Sequence, residues 1–120
     1  MIKAIYNGKK SIELVNAPVP KANDNDIVIK NIYSSICGTD IAVFNNGNNT
    51  GHKIELGQEF GHETISEVVE VGKNVNSINI GDIVYPYPLF AKDDTKRAGT
   101  IGGFSEYILI PNCVRNKSGY

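Results

Sequence analysis

The stretch "IVIKNIYSSICGTD", residues 27–40, decides the fold. Its first ten residues are dominated by β-branched and aromatic side chains, the composition of a strand. The run then stops on Ile36 and delivers a cysteine, a glycine, a hydroxyl and a carboxylate in four consecutive positions. "TDIAVF", residues 39–44, is the one segment whose pattern allows a helix, and the reading gives it at most two turns. Outward from this stretch the chain continues in strands. "MIKAIY" (1–6) and "SIELV" (11–15) alternate apolar and polar residues around "NGKK", the pattern of an antiparallel hairpin. The proline- and Asn/Asp-rich "APVPKANDND" (17–26) connects that hairpin to the central run. Beyond it, "TISEVVEVG" (64–72), "DIVYPYP" (82–88) and "FSEYILIP" (104–111) repeat the strand pattern. Short strands punctuated by Gly, Asn and Pro predict an all-β barrel or sandwich.

Size and charge narrow the function. A chain of 120 residues fits one domain. Its 12 Lys and Arg against 13 Asp and Glu, a formal net charge of -1, leave no excess of cations to neutralise phosphates, so nucleic acid is not expected as a partner. No apolar run approaches the roughly 18 residues of a membrane span, and the amino terminus turns polar after a few residues. The expectation is a soluble, unsecreted, cytoplasmic protein without a membrane partner. Cys37 and Cys113 are too few for a disulfide framework, and the default for each is a small buried hydrophobe.

Chemistry gathers around Cys37 and the pair His62–Glu63 in "GHE" (61–63). Zinc takes Cys sulfur, His nitrogen and carboxylate oxygen, and a catalytic zinc keeps one position for water or substrate. These residues supply all three ligand types, although by spacing alone Cys37 is equally a core residue and "GHE" a turn with a surface carboxylate. Neighbouring side chains on a strand face opposite ways, so His62 and Glu63 reach one ion only where the backbone bends, and Gly61 makes a bend easy.

The motifs in order are "KAIY" (3–6), "ICGTD" (36–40), "GHE" (61–63) with "VVEVGKNV" (68–75), Gly81-Asp82 with Val84, and "GGFSEYILIP" (102–111). In this order they resemble the amino-terminal, GroES-like catalytic domain of the zinc-dependent medium-chain dehydrogenases, the alcohol, polyol and threonine dehydrogenase superfamily. The resemblance implies a mainly β fold, a GroES-like antiparallel β-barrel with one or two short helices over residues 1–120. It implies a catalytic zinc on Cys37 and His62, with Glu63 as a direct ligand or a nearby carboxylate that swings in, and Thr39 as the hydroxyl that relays the substrate's proton. Asp40 is expected to cap the short helix or to orient a zinc ligand. The implied function is oxidation of an alcohol or polyol with NAD or NADP, and a homo-oligomer is expected. Some relatives carry a relay histidine at about Ala42, and this chain does not.

Two departures from the family pattern shape the expectation. Relatives with a structural zinc carry four close cysteines in the interval that here reads "YPYPLFAKDDTKRAGTI" (85–101), which has none, so one catalytic zinc and no structural zinc are expected. No G-x-G-x-x-G fingerprint follows a strand and opens a helix, so the Rossmann cofactor domain is expected outside this sequence. Alone, the 120 residues are therefore expected to lack dehydrogenase activity, to hold zinc weakly or not at all, and to self-associate through apolar surface that the cofactor domain would otherwise cover. The alternative, a GroES-like binding or assembly module without activity, shares the fold but has no use for "CGTD" and "GHE" together. A zinc-free quinone-reductase relative would be expected to lack Cys37 and His62. His52, Gly47 and the asparagines of "NNGNNTGH" (45–52) read as a solvated loop.

Overall fold

A computed structural model of the chain describes residues 1–86, 96–98 and 100–113. Most of the interval in which relatives carry a structural zinc therefore lies outside the described residues. Among the described residues, six strands and one α-helix follow in order: β1 (Ile2–Tyr6), β2 (Ile12–Asn16), β3 (Ile27–Ser35), α1 (Gly38–Asn46), β4 (Glu63–Val71), β5 (Ile83–Val84) and β6 (Tyr107–Ile110), with a 3-10 turn at Gly47–Thr50 after the helix. The predominance of strands agrees with the sequence reading. The helix runs about half a turn longer than expected. β5 is much shorter than "DIVYPYP" suggested, two residues paired to Ser66 and Glu67 of β4.

All pairings are antiparallel. β1 and β2 form the hairpin, with Ala4 opposite Leu14, and β5-β4-β3-β6 form a four-stranded sheet. The hydrogen-bonded strands do not close into a continuous barrel among the described residues. The hairpin is tied to the rest by single bridges, Lys3 to Ser105 and Ile5 to Glu59, without a full ladder. β3 is the axis of the molecule: Ile27 faces Val71 on one side and Ile110 on the other. Such a strand is covered on both faces, and Ile27, Val28 and Ile29 are all buried.

Two apolar clusters result. One gathers Ile27, Ile29, Val68, Ile101, Ile108 and Ile110 around the sheet, with Cys113 fully buried among them. Cys113 thus fills the default role of a small hydrophobe, its Sγ 3.4 Å from the Ile110 carbonyl. The other joins Tyr6, Val43, Ile54, Phe60 and Ala98, with Phe104 packed against it. It pins α1, through Val43, to the segment that precedes "GHE". Fully burying a side chain of this size contributes about 1.5–3 kcal/mol, so each anchor matters to a short helix.

Candidate metal centre

The register of β3 against β4 builds the site. Ser35, the last residue of β3, stands opposite Glu63, the first of β4. Cys37 lies two residues past one strand end and His62 one residue before the other, so the two side chains meet over the open end of the pair. Cys37 Sγ is 3.1 Å from His62 Nε2.

Cys37 is also the N-cap of α1. Its sulfur accepts from the Thr39 N–H at 3.3 Å, and its own N–H donates to Asp40 Oδ2 at 2.9 Å, a reciprocal capping box with Asp at the third helical position. The helix N-terminus therefore turns its free N–H groups and positive dipole end toward the sulfur. The expectation that Asp40 caps the helix or orients a ligand covers both of its oxygens. Oδ2 makes the cap, while Oδ1 lies 3.8 Å from His62 Nδ1.

Donor atoms of Cys37, Asp40 and His62 all fall within 4.8 Å of one another. Asp40 is 4% exposed, and burial pushes its carboxyl above the ordinary 3.8, opposed by the Cys37 N–H and the His62 imidazole and reinforced by the Glu63 carboxylate. Asp40 Oδ1 and His62 Nδ1 are two of three buried side-chain polar atoms without a hydrogen-bond partner among the described residues. Unpaired buried polar groups are costly and rare in native proteins. Closing that gap would place a proton on Nδ1 facing the carboxylate and leave the Nε2 lone pair for a cation, the usual arrangement behind a metal-bound histidine.

The donor set fits zinc. A tetrahedral ion with ordinary bond lengths would hold sulfur and nitrogen about 3.5 Å apart, and the pair stands a few tenths of an ångström inside that spacing. Glu63 lies outside the three-residue cluster. On β4 the side chains alternate, with Thr64 and Ser66 buried and Ile65 and Glu67 exposed, so Glu63 starts on the opposite face from Thr64. Gly61 does adopt a left-handed φ of 101°, but the turn precedes His62 and re-aims the pair as a unit. Thr39 is half-buried in the first turn of α1, beside Cys37. Gly47 departs from the solvated-loop reading: it is buried, and a Cβ there would sit 2.6 Å from Tyr6 Oη. His52 stays half-exposed after the 3-10 turn. The sequence reading gave no role to Asn31, Phe60, Gly103 or Phe104, which surround the His62 segment. The "GG" before an aromatic residue was the available signal.

Comparison with known proteins identifies the family. Residues 23–116 match the family model described as alcohol dehydrogenase GroES-like domain. An L-threonine 3-dehydrogenase of Shewanella oneidensis is 41% identical over 86% of this chain and 35% of its own length, and one of Bacillus velezensis is 32% identical over 92% and 37%. The crystal structure of 2R,3R-butanediol dehydrogenase from Bacillus subtilis superposes with a TM-score of 0.74 at 25% identity, over 92% of this chain and 38% of that one. The chain spans about a third of the length of the curated relatives it matches. No helix among the described residues is long and apolar enough to cross a membrane. The site, the motif order and these matches lead to one conclusion: the chain belongs to the alcohol dehydrogenase GroES-like domain family, the amino-terminal catalytic domain of the zinc-dependent medium-chain dehydrogenases.

Proposed function

We propose that these 120 residues form the catalytic domain of a zinc-dependent oxidoreductase that oxidises an alcohol, polyol or amino alcohol with NAD or NADP. The contact between Cys37 Sγ and His62 Nε2 over the end of the β3–β4 pair carries the reading. Cys37 and His62 hold the metal, and Glu63, which stands outside the Cys37–Asp40–His62 cluster, serves as third ligand or reserve only where the backbone turns it toward the ion. Asp40 lies behind His62, where it fixes the tautomer that leaves Nε2 free. When bound, zinc supplies Lewis acidity that eases removal of the alcohol proton near neutral pH, and a nicotinamide accepts the hydride. Thr39, next but one to Cys37, takes the substrate hydroxyl's proton toward solvent. The neighbouring apolar walls of Ile36, Phe60 and Phe104 limit water beside the centre. The cofactor is read as binding a Rossmann domain outside this sequence, because no segment here has the glycine fingerprint that cradles a pyrophosphate. The names of the relatives support small alcohols as the substrate class, with amino alcohols and diols among them. The lack of excess cationic charge supports a protein without a nucleic-acid partner, and the cytoplasmic location, the homo-oligomer and the absence of a membrane partner are part of the same proposal.

The test compares the chain alone with the chain fused to the cofactor domain of a relative, at saturating zinc, with NAD or NADP and a panel of alcohols, diols and amino alcohols. The chain alone should give no turnover. The fusion should give turnover that Cys37→Ser abolishes. A folded, nicotinamide-binding fusion that turns over nothing in the panel, or that is indifferent to Cys37→Ser, would contradict the assignment.

A further inference from the structure

We propose that the segment Gly102–Ser105 is a strap that positions His62, and that Asn31 fixes the strap. Two backbone bonds join the strap to the residues immediately before His62: Gly103 N–H donates to the Gly61 carbonyl at 2.8 Å and Phe104 N–H to the Phe60 carbonyl at 3.0 Å. The Phe104 ring meets Phe60 edge to face, with centroids 5.1 Å apart at 89°. The approach is close enough to exclude side chains. A Cβ on Gly103 would stand 2.9 Å from Thr64 Cγ2 and 3.1 Å from the Gly61 carbonyl carbon and oxygen, and one on Gly61 would stand 3.0 Å from both the ring and the backbone nitrogen of Phe104. Backbone atoms cannot swing aside as a flexible side chain can.

The other side of the strap is held by side chains of the sheet. Asn31 Nδ2 donates to the Gly103 carbonyl at 2.8 Å and to the Ser105 carbonyl at 2.6 Å, and Ser34 Oγ donates to the Gly103 carbonyl at 2.8 Å. Asn31 is itself oriented by Ser66, whose hydroxyl donates to Asn31 Oδ1 at 2.6 Å. Asn31 stands where the β3–β4 register shifts, between Asn31 and Tyr33. Such irregularities bend a strand and re-aim its side chains. The order of constraint runs from that bend through the Asn31 amide to the strap carbonyls, from the strap N–H groups to Phe60 and Gly61, and so to the imidazole that faces Cys37. Asn31, Gly103 and Phe104 are thus positioning residues. The consequence for metal affinity rests on the reading of Cys37 and His62 as ligands, whereas the placement of His62 does not.

Gly103→Ala and Asn31→Leu test the strap, with Ile108→Val, a core truncation on β6 just past the strap that makes none of its hydrogen bonds, as a destabilised control. Crystal structures should show the Cys37 Sγ to His62 Nε2 separation widened in both strap variants and kept in the control. Cobalt(II) titration of the chain fused to the cofactor domain of a relative should show affinity lower by about tenfold or more in the strap variants, the scale of outer-sphere positioning effects, with the control unchanged. If Gly103→Ala does not fold, Asn31→Leu carries both measurements. An unchanged separation in the folded variants, or an equal loss of cobalt in Ile108→Val, overturns the proposal. A widened separation with no cobalt bound even by the native fusion upholds the strap and removes the metal reading instead.

Discussion

Asp40 shows how much one residue type at one spacing can carry. Three positions after Cys37, on a helix that Cys37 itself caps, a carboxylate is forced into the first turn and under the imidazole. The spacing offered a cap or a carboxylate beside a ligand candidate as alternatives, and the structure shows the cap on Oδ2 with Oδ1 near His62. The unpartnered Oδ1 and Nδ1 were not legible from it, because their separation depends on how β4 arrives from Gly61. Burial raises the Asp40 pKa above 3.8, so the metal-free native state binds this proton more tightly than the unfolded chain does. The contribution to stability is fully present below about 3.8 and is lost as pH rises through the higher folded value. Asp40→Asn keeps an oxygen for the Cys37 N–H and removes the buried charge. Urea unfolding in chelator across the acidic range should show the native chain losing stability relative to Asp40→Asn as pH rises through that window, with a constant difference above it. Parallel curves would mean that the carboxylate is not desolvated.

At the scale of elements, composition and alternation were enough to find the hairpin, β3, β4 and β6: β3, β4 and β6 bury one or both faces and their sequences must say so, while β2 is largely exposed and was legible from its alternation and the turn before it. β5 was overestimated because "DIVYPYP" has strand composition, while pairing stops after Val84 and Pro86, which lacks an N–H, follows two residues on. The register shifts in β3 left no trace in the sequence: an extra residue in a β-branched run looks like any other. Gly72 is a related case. It closes the stretch "TISEVVEVG", its φ is not left-handed, and what excludes a side chain is the carbonyls of Asn23 and Asp24 in the β2–β3 connection. Its N–H donates to the Asp26 carbonyl at 2.8 Å, which locks the two segments together. Gly72→Ala should therefore cost about 1–3 kcal/mol, the range of overpacked sites, read as a lower urea midpoint at constant slope. An unchanged midpoint would show that the connection yields freely.

The whole molecule presents its candidate centre beside an open apolar groove of about 540 Å³ that Ile12, Ile36, Ile41 and Phe44 help to line, while Leu14, Ile36 and Leu56 are each about 70% exposed. Exposed apolar surface of this kind is what a domain presents when it packs against another surface. The family and the cysteine–histidine pairing could be read from "ICGTD" and "GHE" in order. Which carboxylate stands nearest could not, because it is set by helix geometry on one side and strand alternation on the other. The central claim is that Cys37 and His62 form a metal centre, and cobalt(II) titration to saturation of the chain fused to the cofactor domain of a relative tests it most directly, since a thiolate on the metal gives an optical charge-transfer band. The account predicts that band in the native fusion and in Cys113→Ser, whose sulfur is buried in the sheet core, and its loss in Cys37→Ser. A native fusion without the band at saturation, or a Cys37→Ser variant that keeps it, would contradict the account.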